Sequence, residues 1–566
     1  MSAKLFRNKG NVSIADLKST AGLRSESCCY GRNKNDASNI QIRKIRRYKE
    51  RSETMGQIAL IHGNIIPMDG RKRYSAVLAQ DGKITAIGGD AEIKELAEQN
   101  KIEVIDLKGA TVLPGFHDCH AHLSLTGFDA QGINMYDAGD IAEVVSRLKE
   151  ADETWPEGRW LYGMRLDEGL LDEKRPPTME ELAELKRPAL ISDRGGHYVI
   201  VNQMAYDALG MSPEVEGVRM GPDGKPNGRL QDRANKVARN GFPRSREEVL
   251  EAMVYTGQEA LKKGITTIHA QEGFTEDDPA VPLLIEHMED FPVDLVIYWC
   301  MMPDYDEPMA EKLGILGGDI LLDGSIGSRT AAFFQPYVDG DGGCGYLNFS
   351  EQEVYDFVEA GIVRDLAMSF HVIGERGIHT ALDAYEKVMD QHPEKIDTAK
   401  LRLEHFGWPS QEDIDRAARL GVRISTQPAF TYLRGGPESV YRSRLGEERE
   451  KAGYPLRLML DAGLCLGGGS DSDITPLDAL LGIHAAVNPP YPENAVTPYE
   501  AVRMYTSEGA RCGWEDDRKG KLIPGMQADM VILDQDPMQV NPQTIKDIQV
   551  LATIRKGSVV YKKEES

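Results

Sequence analysis

The stretch Pro114-Gly115-Phe116-His117-Asp118-Cys119-His120-Ala121-His122 sets His120 and His122 two positions apart behind a short apolar run. In extended backbone alternate side chains share a face, so both imidazoles can converge on one metal ion. His117 and Cys119 alternate to the opposite face and read as packing. Three more residues close strand-like runs: His371 in Phe370-His371-Val372-Ile373, His405 at the end of Leu401-Arg402-Leu403-Glu404-His405, and Asp471 behind Gly467-Gly468-Gly469-Ser470. Each taken singly reads equally well as a hydrogen-bonded core or loop residue. With 12 histidines in 566 residues an H-x-H pair alone is a weak signal. Four imidazoles and a carboxylate, all at strand C-termini, form a donor set suited to zinc, iron or manganese. Neither a phosphate-binding G-x-x-x-x-G-K-[ST] loop nor a G-x-S-x-G elbow occurs.

These residues need elements to position them. Apolar strand-like runs at 111–116, 265–270, 294–300, 319–322, 368–373, 401–406, 422–427 and 464–467 alternate with longer amphipathic stretches. Eight parallel strands with interleaved helices fit an α/β fold of the (β/α)8 TIM-barrel kind, whose sites form at the strand C-termini. The gap at about 124–263 is too long for one crossover. It predicts an inserted subdomain after the first strand, rich in helix, with a polar loop at 219–229. Short β runs at 58–61, 64–67, 76–79, 84–87, 103–106 and 111–113, with a helix at 91–99, find companions at 530–533, 550–554 and 558–561. The expected organisation is a small discontinuous β-sandwich domain from 55–113 and 518–562, around a barrel spanning 114–517.

Composition narrows the function classes. Lys and Arg number 66 against 90 Asp and Glu, a net charge of −24, with 41% hydrophobic residues. The chain can bury a large core, and it lacks the basic surface of a nucleic-acid or anionic-membrane binder. No run approaches 18 apolar residues, so no membrane span is expected. Residues 1–54 carry 13 Lys/Arg against 5 Asp/Glu, or +8, which leaves −32 on the remainder. That leader reads as disordered, with a transit peptide or a true start at Met55 as alternatives. Seven cysteines without a C-x-x-C spacing suit reduced thiols in a cytoplasmic protein.

The stretches 114–122, 194–202, 264–269, 322–330, 371–375, 403–405, 469–471 and 520–533 together resemble the amidohydrolase superfamily. The resemblance, from about 55 to 562, is to its family 3 branch, which includes N-substituted formamide deformylase. It implies a divalent-metal enzyme holding one or two ions, zinc first, with iron or manganese as alternatives. His120 and His122 would bind the more buried ion, and His371 and His405 a second. Asp471 would ligate metal and shuttle protons. A metal-bound hydroxide, formed because bound water reaches a pKa of about 7, would attack the carbonyl of a small-molecule substrate and break a non-peptide C–N bond. Asp319, in Gly318-Asp319-Ile320-Leu321-Leu322-Asp323-Gly324-Ser325, stands where many relatives carry a bridging lysine. Its carboxylate could bind one metal, bridge two, or be an ordinary strand-end residue. Glu375 and Asp232 also depart from the usual residues. For His197, His269 and Arg329 the resemblance suggests substrate contacts. The alternatives are a loop histidine, a packed histidine and an arginine paired with a surface acid. The departures leave room for a decarboxylase or esterase on the same site, or a catalytically silent barrel with a binding role. A homodimer is compatible with the pattern.

Overall fold

The computed structural model describes residues 56–564 except 71, 194–197, 276, 303–307 and 341, so the expected leader at 1–54 lies outside the described residues. Two compact units emerge, one of residues 127–252 and one containing the other described residues.

In the larger unit two parallel sheets carry the functional strands. Phe116–Ala121, Ile265–Glu272 and Asp294–Trp299 form the first, with Ile265–Glu272 in the middle. His371–Val372, Arg402–His405, Arg423–Thr426 and Cys465–Gly468 form the second, paired in chain order. Parallel bridges Leu321–His371 and Ala121–Ser472 join further segments to these runs. All eight residues of Ile265–Glu272 are buried, as expected for a parallel strand covered on both faces. The architecture is α/β, of the TIM-barrel type.

Two strands differ from the sequence expectation. The run at 111–116 is divided at Gly115. Thr111–Pro114 pairs antiparallel with Met530–Leu533, and the barrel-type strand starts afresh at Phe116. A Cβ on Gly115 would lie 2.3 Å from Thr266 Oγ1, so only glycine lets the chain pass between the sheets. The H-x-H pair therefore begins inside a strand rather than past its end. The run at 319–322 forms no continuous ladder. The Asp319 N–H donates to the Gln271 Oε1 at 2.9 Å, so a side chain stands where a neighbouring strand's carbonyl would.

Both ends of the chain share a sheet. Its strand order is Asn64–Ile65, Thr111–Pro114, Met530–Leu533, Val550–Arg555 and Ser558–Lys562. Lys83–Gly88, Ala76–Gln80, Ile58–Ile61 and Val104–Asp106 make a second sheet. Ile58, Leu60, Val77, Ile84, Val112, Met530 and Ile554 from the two sheets share one buried cluster. Full burial of each such side chain contributes roughly 1.5–3 kcal/mol.

The unit at 127–252 combines helices, among them Ile141–Thr154 and Asp232–Asn240, with a sheet that the sequence reading did not separate out. A six-stranded sheet runs through it, from Ile133–Asn134 at one edge to Val218–Met220 at the other. The expected polar loop at 219–229 is a hairpin between Val218–Met220 and Pro226–Gln231. Asp223 and Gly224 make its turn, with Gly224 at φ 78° and the Lys225 N–H donating to Asp223 Oδ1.

Candidate metal centre

Strand alternation sets the first half of the site. His117 and Cys119 face away: His117 packs edge-on against His269, and Cys119 Sγ donates to the Gly509 carbonyl at 3.7 Å. Asp118, His120 and His122 face the other way. Asp118 Oδ1 accepts from the backbone N–H groups of His120 and Ser470, pinning the strand to the turn that carries Asp471. The Asp471 N–H donates to the His120 carbonyl at 2.7 Å. Gly469 makes this contact possible, because a Cβ there would lie 2.7 Å from the His120 nitrogen.

The donor atoms converge around His120. His120, His122 and Asp471 bring one donor atom each within 4.8 Å of one another, and so do His120, Asp319 and His405. Asp471 Oδ1 is 3.0 Å from His122 Nε2 and 3.5 Å from His120 Nε2. Asp319 reaches both halves. Its Oδ1 is 3.1 Å from His371 Nδ1 and 3.2 Å from His405 Nε2, while Oδ2 is 3.8 Å from the Nε2 atoms of both His120 and His122. His371 joins through Asp319 and by packing edge-on against the His405 ring, 4.3 Å between centroids; its Nε2 lies 3.2 Å from the Gly324 carbonyl.

The outward ring nitrogens are held from behind. His120 Nδ1 meets Glu404 Oε2 at 2.9 Å, His122 Nδ1 meets the Gln271 carbonyl at 2.8 Å, and His405 Nδ1 meets Gln427 Oε1 at 2.7 Å. These partners fix ring orientation and leave each Nε2 for the centre. His405 and Asp471 sit in left-handed backbone, at φ 68° and 50°. Non-glycine residues there cost of order 1–3 kcal/mol and are characteristic of functional sites.

Charge follows the geometry. Burial opposes a charged ring on His120 and His122, yet the Asp319 and Asp471 carboxylates prevail and push both up to about 10. Burial would raise Asp319 and Asp471, but the surrounding imidazoles hold both well below the usual carboxylate range. Glu404 is likewise drawn down to about 2 against its burial, chiefly by the Arg402 guanidinium.

Arg402, fully buried, organises the layer behind the site. Its guanidinium donates to both Glu404 oxygens, to the Cys119 carbonyl, to Tyr298 Oη and to His269 Nδ1. His269 is therefore a buried acceptor, and burial followed by the Arg402 charge keeps its ring neutral. Arg329 pairs with both oxygens of Asp339 at 3.0 and 2.9 Å. His269 and Arg329 therefore both have protein partners. His197 and the side chain of Asp232 lie outside the described residues.

Sequence reasoning missed Glu404, Arg402, Gln271, Gln427 and Cys300, which joins His122 and Asp319 in a third donor group. A signal existed for two of them. Arg402 and Glu404 are charged residues at alternate positions of an apolar strand, hence buried on one face and in need of partners.

The α/β, TIM-barrel-type fold thus gathers a buried donor set of the kind that holds a divalent ion. The chain belongs to the amidohydrolase family, which matches residues 103–561. It is 28% identical over 543 residues to the YtcJ protein of Bacillus subtilis (strain 168), covering 89% of this chain and 99% of that one. It is 27% identical over 558 residues to N-substituted formamide deformylase of Arthrobacter pascens, covering 90% and 99%. Among solved structures, an uncharacterized metal-dependent hydrolase from Pyrococcus furiosus superposes with a TM-score of 0.73 at 27% identity, covering 85% of this chain and 100% of that one. Among the described residues no helix is long and apolar enough to cross a membrane.

Proposed function

We propose that this chain hydrolyses a non-peptide C–N bond, of the amide type, in a small molecule. The observation that carries the reading is the double convergence on His120, with His122 and Asp471 on one side and Asp319 and His405 on the other. The residues fit a cation. His120 Nε2 and Asp471 Oδ1 are buried and make no hydrogen bond of good geometry, a state that a bound ion would relieve. His120, His122 and Asp471 would hold one ion; His405 and Asp319, with His371 beside them, would hold a second. Asp319, whose two oxygens face the two halves, would be shared.

A divalent ion, zinc in our reading, supplies Lewis acidity and makes a bound water acidic near neutral pH. Asp471, ionised and fixed by its backbone bond to His120, takes a proton from the attacking water and returns it to the leaving nitrogen. Glu404, Gln427 and the Gln271 carbonyl keep the imidazoles in the orientation this requires. The strand pairing supports a closed (β/α)8 barrel, with 55–113 and 518–562 as a composite β-sandwich domain and an insertion at about 124–263.

Two measurements test the reading. Protein purified without chelator is expected to carry at least one equivalent of zinc, iron or manganese, and a content well under one equivalent rejects it. A panel of N-formyl, N-acyl and cyclic amides, esters and carboxylic acids is expected to show turnover of an amide. Turnover confined to esters, or release of carbon dioxide, would replace it with an esterase or decarboxylase.

A further inference from the structure

One thiol reaches the same centre. Cys300 follows the strand Asp294–Trp299, and its N–H donates to the Glu272 carbonyl at 2.8 Å. That bond continues the pairing with Ile265–Glu272 by one residue and sets the side chain at the C-terminal end of the strand, where the other donors gather. Its Sγ, a ring nitrogen of His122 and an oxygen of Asp319 all lie within 4.8 Å of one another. His120 Nε2, fully buried and without a hydrogen bond, lies 3.8 Å from Asp319 Oδ2 in the same space. Of the other described cysteines, Cys119, Cys465 and Cys512 pack together in a cluster of their own, and Cys344 joins no such donor group.

We propose that Cys300 is a thiolate ligand of the metal centre, on the side shared by His122 and Asp319. The proposal rests on the metal-dependent reading above and adds a soft donor to its imidazoles and carboxylates. On binding, the thiol proton passes to solvent as the sulfur–metal bond forms, and nothing is oxidised or reduced. A thiolate biases the centre toward zinc over manganese, because soft ligands favour the softer ion.

Cobalt(II) reconstitution of the full metal-free chain tests this with readouts independent of activity. Visible ligand-field bands report that the ion has bound the centre; a near-ultraviolet thiolate-to-cobalt charge-transfer band reports sulfur ligation. Wild type is expected to show both, and Cys300→Ser to keep the first and lose the second. Ligand-field bands without a charge-transfer band in wild type, or a charge-transfer band that survives in Cys300→Ser, overturn the thiolate and leave the hydrolase reading standing. Failure of wild type to bind cobalt rejects both. Should Cys300→Ser not fold, zinc-edge X-ray absorption on the wild-type protein decides. A sulfur scatterer at about 2.3 Å supports the ligand, and a shell of nitrogen and oxygen alone refutes it.

Discussion

Glu404 holds His120 from behind, with Oε2 2.9 Å from Nδ1 and both side chains fully buried. Arg402 grips the same carboxylate through two guanidinium nitrogens, and Ser369 Oγ donates to it at 2.7 Å. A neutral amide in place of Glu404 would orient the ring less strongly. Glu404→Gln is expected to weaken metal binding by about 10–100-fold, read by chelator competition. Arg402→Met strands the carboxylate in the interior and is expected to cost about 3–5 kcal/mol in denaturant unfolding. Unchanged affinity and stability in both variants would show that this layer is idle.

Metal loading must compete with protons. Without an ion, Asp319 and Asp471 push the His120 and His122 rings up to about 10 against their burial, so both rings are protonated at neutral pH. An ion needs them neutral, so loading releases protons and apparent affinity rises with pH until about 10. Calorimetric titrations of zinc in buffers of different ionisation enthalpy measure that release. An affinity flat between pH 6 and about 9 would contradict it.

Asp471→Asn retains shape and removes the proton acceptor. At saturating metal, kcat is expected to fall by about 10²–10⁴-fold with circular dichroism unchanged. Asp319→Asn, by contrast, is expected to lower the metal content per chain, measured by plasma mass spectrometry. Full activity in Asp471→Asn would remove it from the proton path.

Gly469 marks where two strand ends touch. An added Cβ would meet the His120 nitrogen at 2.7 Å and its Cβ at 2.8 Å, atoms that cannot swing aside. Gly469→Ala is expected to displace His120 from Asp471 and weaken metal binding about as much as Glu404→Gln, with a fall in Tm. Wild-type affinity in Gly469→Ala would mean that the turn relaxes freely.

Acid stability has a separate source in Asp294. Burial would raise this carboxyl, but Lys519, Arg555 and Lys556 outweigh it and hold it well below the usual range. A carboxylate depressed in the folded state stabilises above its unfolded pKa of about 3.9, and that contribution is lost as pH falls below this value. Asp294→Asn removes the carboxylate that Lys519, Arg555 and Lys556 share, leaving Lys519 with Glu515, and is expected to cost about 3–5 kcal/mol at pH near 7. The gap between wild type and variant should narrow steadily as pH falls below about 3.9 toward the depressed folded-state pKa, followed by urea unfolding. A gap that persists there would assign the loss to packing.

Much of the centre was legible locally. The pleat alone turns His120 and His122 together and sends His117 and Cys119 away, as Cys119 on Gly509 bears out. The runs at 368–373 and 401–406 and the Gly-rich turn before Asp471 carried three further members of the cluster, although His371 begins its short strand and Asp471 lies beyond one; of the early β runs, Asn64–Ile65 and Thr111–Pro114 share a sheet with the late strands. What stayed hidden depends on which strands adjoin. Glu404 stands 284 positions from the ring it orients, and Cys300 reaches His122 from another strand. Asp319 read as a strand residue until Gln271 took its N–H, and within the insertion expected at about 124–263 to be rich in helix, the six-stranded sheet beside the helices went unread. Periodicity is a property of a few consecutive residues, so the sequence by itself determined element type and facing. Partnership across strands depends on chain closure and burial, so only the tertiary structure decided which buried charge answers which imidazole.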